Sequence, residues 1–364
     1  MEHMKNQITR ISAHQTGKVL AIFYALVGLI FALTSLLMRA STTAAAQSAS
    51  TPPPYPPPGK LVDVGGWHLH INCTGPVQAS QPTIILEAGA GGFSVEWSLV
   101  QPRVASFARV CSYDRAGDGW SDLGPHPRTM QQTVFELHTL LETAGVRPPY
   151  VLVGSSYGGV LVRIYAARYP ADVAGMLLVD GGRLNPLRFV DGKLVSLPET
   201  ATGRPVPPVK TSNPLRESDI PPDARAQIEA AARQATPTAN EPPRDKLPAA
   251  AQRMRTWALS QVKHYAAYAN PFEAEELALM IADQKKKEHP LGDIPLIVLT
   301  AGRPEYGPNE QALEDDRMKN QAALATLSRN GKQVIAAGSG HHIQIEDPEL
   351  VIKSIREVAT AARK

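Results

Sequence analysis

The chain has 364 residues, 43% of them hydrophobic, and a net charge of +3 from 37 basic and 34 acidic side chains. That length fits one large domain or two small ones, and the apolar content is ample for a core. The weak charge and the lack of a basic stripe interleaved with aromatic residues argue against nucleic-acid binding. Two cysteines, Cys73 and Cys111, are too few for a disulfide framework or a zinc cluster.

An apolar run without a charged side chain covers residues 19–38, "VLAIFYALVGLIFALTSLLM". A helix of this length reaches about 30 Å, the thickness of a bilayer core. Lys5, Arg10 and Lys18 precede the run. Positive charge on that side predicts a cytoplasmic tail at residues 1–18, a transmembrane helix and an exported remainder.

The residues after this run leave two outcomes open. Three alanines at residues 44–46 resemble a signal-peptidase site, which would release a secreted or periplasmic domain. The apolar run is longer than the roughly 7–15 residues usual for a cleaved signal, and its length favours an uncleaved membrane anchor. Residues 39–59 form a proline-rich linker that is expected to be extended and stiff.

Short apolar runs alternate with stretches of helical spacing through most of the remaining chain. A mostly parallel α/β sheet with helices on both faces follows from this alternation. The strands are predicted within residues 61–73 (two strands), 82–92, 108–122, 150–154, 174–182, 294–302 and 332–337. The helices are predicted within residues 129–145, 157–170, 309–328 and 347–364.

The alternation is interrupted at residues 184–290, called the insert below. The insert is rich in proline and charge, and it contains helical stretches at residues 223–235 and 251–269. A segment of this length between two strands is typical of a functional element, so we expect a lid or cap. Residues 60–183 and 291–364 are then the two parts of one core. One apolar helical face of the insert is expected to roof the site and contains Met254, Trp257, Ala258, Val262 and Tyr265.

The segment "VLVGSSYGGV" at residues 151–160 contains two adjacent serines. The pattern G-x-S-x-G is satisfied by Gly154, Ser156 and Gly158, whereas Ser155 would need glycines where Val153 and Tyr157 stand. In this pattern the serine sits on a sharp turn between a strand and a helix, with its hydroxyl exposed. Ser156 is therefore the candidate nucleophile.

A serine hydroxyl needs a base within hydrogen-bonding reach and a third group that orients the base. Of the ten histidines, His341 and His342 lie in a loop at the carboxyl end of the last predicted strand, "AAGSGHHIQIEDPELV". Ligands of open parallel sheets gather at such ends, where Ser156 is also expected.

These motifs, taken in order, resemble the α/β-hydrolase superfamily, and more narrowly the lidded hydrolases of the AB-hydrolase-1 type. "LEAGAGG" resembles their oxyanion loop, "YDRAGDGWSD" their Tyr-Asp-Arg loop, and "GSGHHIQIEDPELV" their Gly-His segment. The resemblance covers roughly residues 60–183 and 291–364. It implies an α/β-hydrolase fold with Ser156 as nucleophile and His341 as base.

The resemblance also assigns the oxyanion hole to the backbone N–H groups of Ala90 and Tyr157. Tyr157 stands at a predicted helix N-terminus, where a developing negative charge is favoured. One departure from the family pattern lies nearby, because Glu87 and Ala88 stand where relatives usually carry histidine. That difference concerns the support of the loop, since the donor itself is backbone.

The acid of the triad has two candidates. Asp180 ends the strand that follows the nucleophile, and Glu305 lies just beyond the later strand in "TAGRPE". Both respect the chain order serine, acid, histidine. We favour Asp180, because its shorter side chain is the more rigid orienter, and Glu305 remains the alternative.

The predicted function is that of a serine hydrolase acting on a carboxylic ester or related, partly apolar, acyl substrate, with no metal or organic cofactor. Amides, lactones and carbon–carbon bonds remain open as substrates. The alternative from another class is a catalytically weak binding or sensor protein anchored to the membrane. Cys73 and Cys111 fall near the second and fourth strands, so the sequence leaves a disulfide and two buried thiols equally open.

Overall fold

A computed structural model describes residues 54–78, 81–182, 187–190, 193–267, 270–306 and 310–362. Ten strands lie in these ranges, β1 to β10: Lys60–Asp63, His68–Thr74, Thr83–Glu87, Val110–Tyr113, Tyr150–Ser155, Val173–Val179, Leu187–Val190, Lys193–Ser196, Leu296–Ala301 and Gly331–Ala336. Ten α-helices lie there too, α1 to α10: Gln101–Val104, Met130–Thr143, Tyr157–Arg168, Pro222–Ala235, Ala249–Leu259, Val262–Ala266, Glu273–Gln284, Gln311–Ala325, Ile343–Glu346 and Pro348–Ala361.

Eight of the strands form one sheet, in the order β1-β2-β4-β3-β5-β6-β9-β10. The pairs β1–β2 and β2–β4 are antiparallel, and every other pair in this sheet is parallel. The predicted mostly parallel sheet is confirmed. Since parallel strands share one carboxyl edge, the loops after β3, β4, β5, β6, β9 and β10 meet along that edge.

The two faces of the sheet are covered separately. Along β5, Val151 and Val153 pack into one apolar cluster, while Tyr150 and Leu152 pack into another. This period-two alternation places a hydrophobic side chain under helices on each face. Helices α2 and α3 cover one side and α10 covers the other, which leaves β5 fully buried and rigid beneath the site.

The insert carries a separate β7–β8 hairpin and the helices α4 to α7. The sequence predicted one helical stretch over residues 251–269, and this is wrong: α5 ends at Leu259 and α6 begins at Val262. The break lies at Gln261, whose ψ of 138° is extended. The hydroxyl of Ser260 donates to the Trp257 carbonyl at 2.7 Å and satisfies an acceptor at the helix end.

Cys73 and Cys111 form a disulfide. They are direct partners across the antiparallel pair β2–β4, with a Cα–Cα distance of 4.0 Å. The register between these strands could not be read from the sequence, and it decides between the two expected outcomes in favour of the bridge. The bond ties the antiparallel end of the sheet to a strand that leads into the site.

The predicted transmembrane segment, residues 19–38, lies outside the described residues. None of the helices in the described ranges combines the length and the hydropathy of a membrane span. The last residues of the predicted linker are described, and they contact the folded core. The Tyr55 carbonyl accepts a hydrogen bond from Trp120 Nε1 at 2.8 Å, and the Pro58 carbonyl lies 2.5 Å from His70 Nε2.

Candidate active site

Ser156 stands at the junction of β5 and α3 in a backbone conformation that is rare for residues other than glycine. Its φ is 50° and its ψ is −121°. Its N–H donates to the Val179 carbonyl at 3.1 Å, which ties the turn to β6. A strained residue of this kind persists only where the surroundings determine it, and such positions cluster at functional sites.

The two glycines of the motif are required by close backbone contacts. A β carbon at Gly154 would lie 2.5 Å from the Gly158 carbonyl oxygen. A β carbon at Gly158 would lie 2.6 Å from the carbonyl oxygens of both Glu87 and Ala88. No side chain fits at either position, so the turn can close against the loop after β3 only with glycine there.

The neighbouring serines have different surroundings. Ser155 is 1% exposed, and its hydroxyl donates to Gln344 Oε1 at 3.3 Å. Ser156 Oγ instead lies 2.8 Å from His341 Nε2. The structure therefore places the serine chosen from the glycine register, and not its neighbour, beside the histidine.

Asp180 completes a hydrogen-bonded chain with these two residues. His341 Nδ1 lies 2.6 Å from Asp180 Oδ2, and with Nδ1 donating to the carboxylate, Nε2 carries the lone pair that faces Ser156. The aspartate is 3% exposed, whereas the histidine side chain is 33% exposed. These hydrogen bonds thus connect a buried acid to a hydroxyl at the edge of the sheet.

The second oxygen of Asp180 is held by the protein. Asp180 Oδ1 accepts from the Ala301 N–H at 3.0 Å and lies 3.4 Å from Arg317 Nη1. The Asp180 N–H donates to the Leu299 carbonyl at 2.8 Å, and the residue has a φ of 41°. Contacts to β9 and α8 therefore fix the carboxylate that orients the histidine.

Glu305, the alternative acid, lies close to the same histidine. One oxygen each of Asp180 and Glu305 and a ring nitrogen of His341 lie within 4.8 Å of one another. These are ligand types that a divalent cation uses, but Asp180 and His341 already satisfy each other through the 2.6 Å bond. Glu305 is exposed, which makes it a second carboxylate beside the histidine on the solvent side.

The two adjacent histidines differ in their electrostatic surroundings. Burial opposes the charged form of His341, but the hydrogen bond and the negative charge of Asp180 outweigh it and raise the pKa of His341. Burial lowers the pKa of His342 to about 3, and the nearby positive charge of Arg244 acts in the same direction. His342 therefore stays neutral, while His341 is the ring that readily takes up a proton.

The residues predicted for the oxyanion hole lie on the two sides of Ser156. Tyr157 is the first residue of α3. Ala90 lies in the turn that follows β3, and this turn approaches the serine closely: a β carbon at Gly89 would be 3.2 Å from Ser156 Cβ and 3.9 Å from its Oγ. The arrangement can present two backbone donors to an oxygen bound next to Ser156.

Part of the predicted apolar face of the insert packs beside the loops that border the site. Met254, Trp257 and Ala258 of α5 pack with Phe93, which follows the Ala90 turn, and with Ile345, which follows His341. Helix α5 therefore bridges the two loops that border the site. The rest of the predicted face lies elsewhere: Val262 and Tyr265, on α6, pack in a separate cluster with Leu123 of the core and other residues of the insert.

Two arginines at the site were not singled out from the sequence. Arg317 lies on α8 and supports Asp180. The sequence of this helix is mostly polar, and nothing in it indicated which side chain would face the site. Arg115 lies in the quoted segment "YDRAGDGWSD", but only the structure shows that it contacts the Ala90 turn, through the carbonyls of Ala88 and Gly89.

Comparison with known proteins agrees with this architecture. The model of the alpha/beta hydrolase family matches residues 84–354. An AB hydrolase superfamily protein of Gibberella zeae is 28% identical over 324 residues, which are 81% of this chain and 92% of that protein. An uncharacterized protein of Bacillus subtilis, YqjL, is 39% identical over 102 residues, and the match spans only 40% of its length.

Among solved structures, a thermophilic esterase from Thermogutta terrifontis has a TM-score of 0.54 and 19% identity, covering 84% of this chain and 99% of its own. At this identity the likeness shows the fold alone. Because the family model matches most of the chain, the chain belongs to the alpha/beta hydrolase family.

Proposed function

We propose that the protein is a serine hydrolase that cleaves a carboxylic ester or a related acyl substrate through an acyl-enzyme. The observation that carries the proposal is the hydrogen-bonded chain of Ser156, His341 and Asp180, with distances of 2.8 and 2.6 Å. A nucleophile, a base in reach of it and an acid that orients the base are the parts that acyl transfer by serine needs.

In the first step Ser156 Oγ attacks the substrate carbonyl carbon, and its proton passes to His341 Nε2. The carbonyl oxygen becomes an oxyanion that accepts hydrogen bonds from the N–H groups of Ala90 and Tyr157. Asp180 stabilises the imidazolium and keeps Nδ1 protonated. The imidazolium then gives its proton to the leaving alkoxide, and the acyl group stays on Ser156.

Water completes the cycle. His341 takes a proton from a water molecule as its oxygen attacks the acyl carbon, and the proton then passes to Ser156 Oγ as the acid product leaves. None of these steps requires a metal or an organic cofactor. An ester is the simplest substrate, because an alkoxide is an easier leaving group than an amide nitrogen, and the apolar side chains of α5 favour a partly apolar acyl group.

Fluorophosphonate labelling followed by peptide mapping tests nucleophile and mechanism together. We expect one labelled peptide that contains Ser156, and turnover of short p-nitrophenyl esters by the same preparation. A folded protein that binds acyl ligands but neither labels nor turns over would instead support the binding or sensor function.

We also propose that the folded domain is exported and held at the membrane by residues 19–38. The unbroken apolar run and the basic residues before it support this placement. The Cys73–Cys111 disulfide supports it as well, since such bonds persist in oxidising compartments outside the cytoplasm. Protease treatment of intact cells tests it: the domain should be digested from the outside while a cytoplasmic marker survives.

A further inference from the structure

Arg115 is buried at the carboxyl end of β4, next to the turn that carries Ala90. Its side chain is 7% exposed. Its Nη1 donates to the Ala88 carbonyl at 2.7 Å, and its Nη2 donates to the carbonyls of Gly89 at 2.6 Å and Gly92 at 3.0 Å. One guanidinium thus binds three carbonyl oxygens that flank Ala90 on both sides.

The contact with Gly89 has a direct consequence for Ala90. The carbonyl of Gly89 and the N–H of Ala90 belong to one planar peptide group, in which a trans bond points them in opposite directions. The Gly89 carbonyl oxygen accepts from Arg115 at 2.6 Å and from the Gly92 N–H at 3.1 Å, and holding this oxygen also sets the direction in which the Ala90 N–H points. Donation to the carbonyl also polarises the peptide and strengthens its N–H as a donor.

Arg115 also lies near the second predicted donor. Its guanidinium carbon is 5.9 Å from the centroid of the Tyr157 ring. Tyr157 begins α3, and its backbone N–H is the other group assigned to the oxyanion. The same cation thus contacts the loop on one side of Ser156 and lies near the side chain of the residue on the other side.

Two buried carboxylates hold the guanidinium in this position. Arg115 Nη1 lies 2.6 Å from Glu87 Oε1, and Arg115 Nη2 lies 3.4 Å from Asp118 Oδ2. Tyr113 donates its hydroxyl proton to the other oxygen of Glu87. The carboxylate of Glu87 therefore orients the arginine that binds the loop.

Asp118 links this arrangement to the insert. Its Oδ1 lies 3.0 Å from Nδ1 of His264 on α6. Beside this contact, Lys263 Nζ donates to the Ser121 carbonyl at 2.7 Å, so α6 is docked on the loop that carries Arg115. The insert therefore touches the support of the oxyanion loop through Asp118.

We propose that Arg115 is a positioning residue for the oxyanion hole, holding the Gly89–Ala90 peptide with its N–H toward the reacting carbonyl oxygen. The inference rests on the proposed serine hydrolase function. A guanidinium is required, because its planar fork reaches adjacent carbonyls at once, whereas a lysine ammonium cannot reproduce that geometry. Because the held N–H acts on the transition state, Arg115 should affect kcat rather than KM.

The test compares Arg115→Lys and Arg115→Ala with wild type on p-nitrophenyl acetate. Arg128→Lys is the matched control, since Arg128 is equally buried and paired with Glu136 through 2.6 and 2.7 Å bonds. We expect kcat of Arg115→Lys to fall about 10²–10³-fold, the loss typical of one missing oxyanion donor, with KM changed less than about threefold. Millimolar guanidinium should restore part of the activity of Arg115→Ala, and the control should keep kcat within about fivefold of wild type.

A folded Arg115→Lys with kcat within threefold of wild type would overturn the proposal, as would a rise in KM at constant kcat. If both Arg115 variants fail to fold, Glu87→Gln serves instead: it leaves the arginine in place but less firmly oriented, and a kcat unchanged in that variant would also overturn it. Absence of turnover and of labelling in wild type would instead reject the serine hydrolase function. In that case a crystal structure of Arg115→Lys decides, since the positioning role requires a rotated Gly89–Ala90 peptide.

Discussion

Ser155 and Ser156 are adjacent in the chain, yet the hydroxyl of the first faces buried Gln344 and that of the second faces His341 at 2.8 Å. We therefore expect Ser156→Ala to abolish both ester hydrolysis and fluorophosphonate labelling, with a loss in kcat of about 10⁴–10⁶-fold. Ser155→Ala, the matched control, should retain most of both. Equal losses in the two folded variants would contradict the assignment.

Substitutions of the two adjacent histidines should also differ clearly in their effect on kcat. His341→Ala is expected to lower kcat about 10⁴–10⁶-fold, because the proton of Ser156 then has no acceptor. His342→Ala should lose far less, since burial and Arg244 keep its pKa near 3 and the ring neutral. Steady-state kinetics on both variants tests this. If His342→Ala were the variant that loses activity, the base would be His342 and not His341.

The dependence of activity on pH follows from the raised pKa of His341. The base must be neutral to accept the serine proton, so activity is full above its pKa and is lost as the pH falls through it. We expect the acid limb of kcat/KM to have a midpoint above the ordinary histidine value of about 6.5. Glu305→Gln removes a nearby negative charge and should move this midpoint to lower pH. An unmoved midpoint would show that Glu305 does not act on the histidine.

Substitution of Asp180 and of Glu305 distinguishes the two candidate acids. Asp180→Asn should lower kcat about 10⁴-fold, because the amide cannot hold the imidazole in the required tautomer. Glu305→Gln should cost less than about tenfold, since an exposed carboxylate is screened by water. Glu288→Gln, an exposed glutamate of the insert, controls for the loss of one surface charge. If Glu305→Gln proved the more damaging change, Glu305 would be the triad acid.

Trp257 tests the role of the insert. Its ring lies 5.6 Å from that of Trp120, and α5 packs beside the Ala90 turn and the loop of His341. We expect Trp257→Ala to change the ratio of kcat/KM between short and long acyl esters several-fold, and to lower the free energy of unfolding by only about 1–2 kcal/mol. Val262→Ala, on α6 in the separate cluster, should leave the ratio unchanged. A Trp257→Ala protein that melts early with an unaltered ratio would make α5 part of the core alone.

The disulfide can be tested by counting thiols. Protein denatured without reductant should show no free thiol, because Cys73 and Cys111 are bonded. The double substitution Cys73→Ser and Cys111→Ser should lower the free energy of unfolding by about 2–4 kcal/mol, since the bond closes a loop with a sequence separation of 38 residues. Reduced wild type, which should show two thiols, is the control. Two free thiols in the unreduced protein would show that Cys73 and Cys111 are not bonded.

The strands and helices of the core could be predicted because each is encoded locally, whereas His341 and the two candidate acids were inferred from their places at strand ends and from the family resemblance. The glycine register identifies Ser156, and the apolar runs of β5 and β6 have the length and residue types of buried strands. What could not be predicted depends on pairing across the fold. The opposition of Cys73 and Cys111 needs the strand register, and the support of Asp180 by Arg317 needs the packing of α8.

The insert shows the same limit within a single segment. Apolar spacing from Met254 to Tyr265 suggested one helix, but the chain turns at Gln261, and its two halves cover different parts of the molecule. Periodicity reports which residues are apolar. It does not report where a helix ends when a short polar sequence, here Ser260 and Gln261, can satisfy the terminal carbonyl.

The docked end of the linker sets where the domain can be cut. Tyr55 supplies the carbonyl that accepts from Trp120 Nε1, and its ring packs edge-on against Trp257 at 6.2 Å. A truncated chain that starts at Lys60, the first residue of β1, would leave the Trp120 N–H without that acceptor and uncover one side of Trp257, at the helix that borders the site. A soluble fragment for crystallisation or kinetics should therefore begin before Tyr55, because truncation beyond that residue would itself alter the border of the active site.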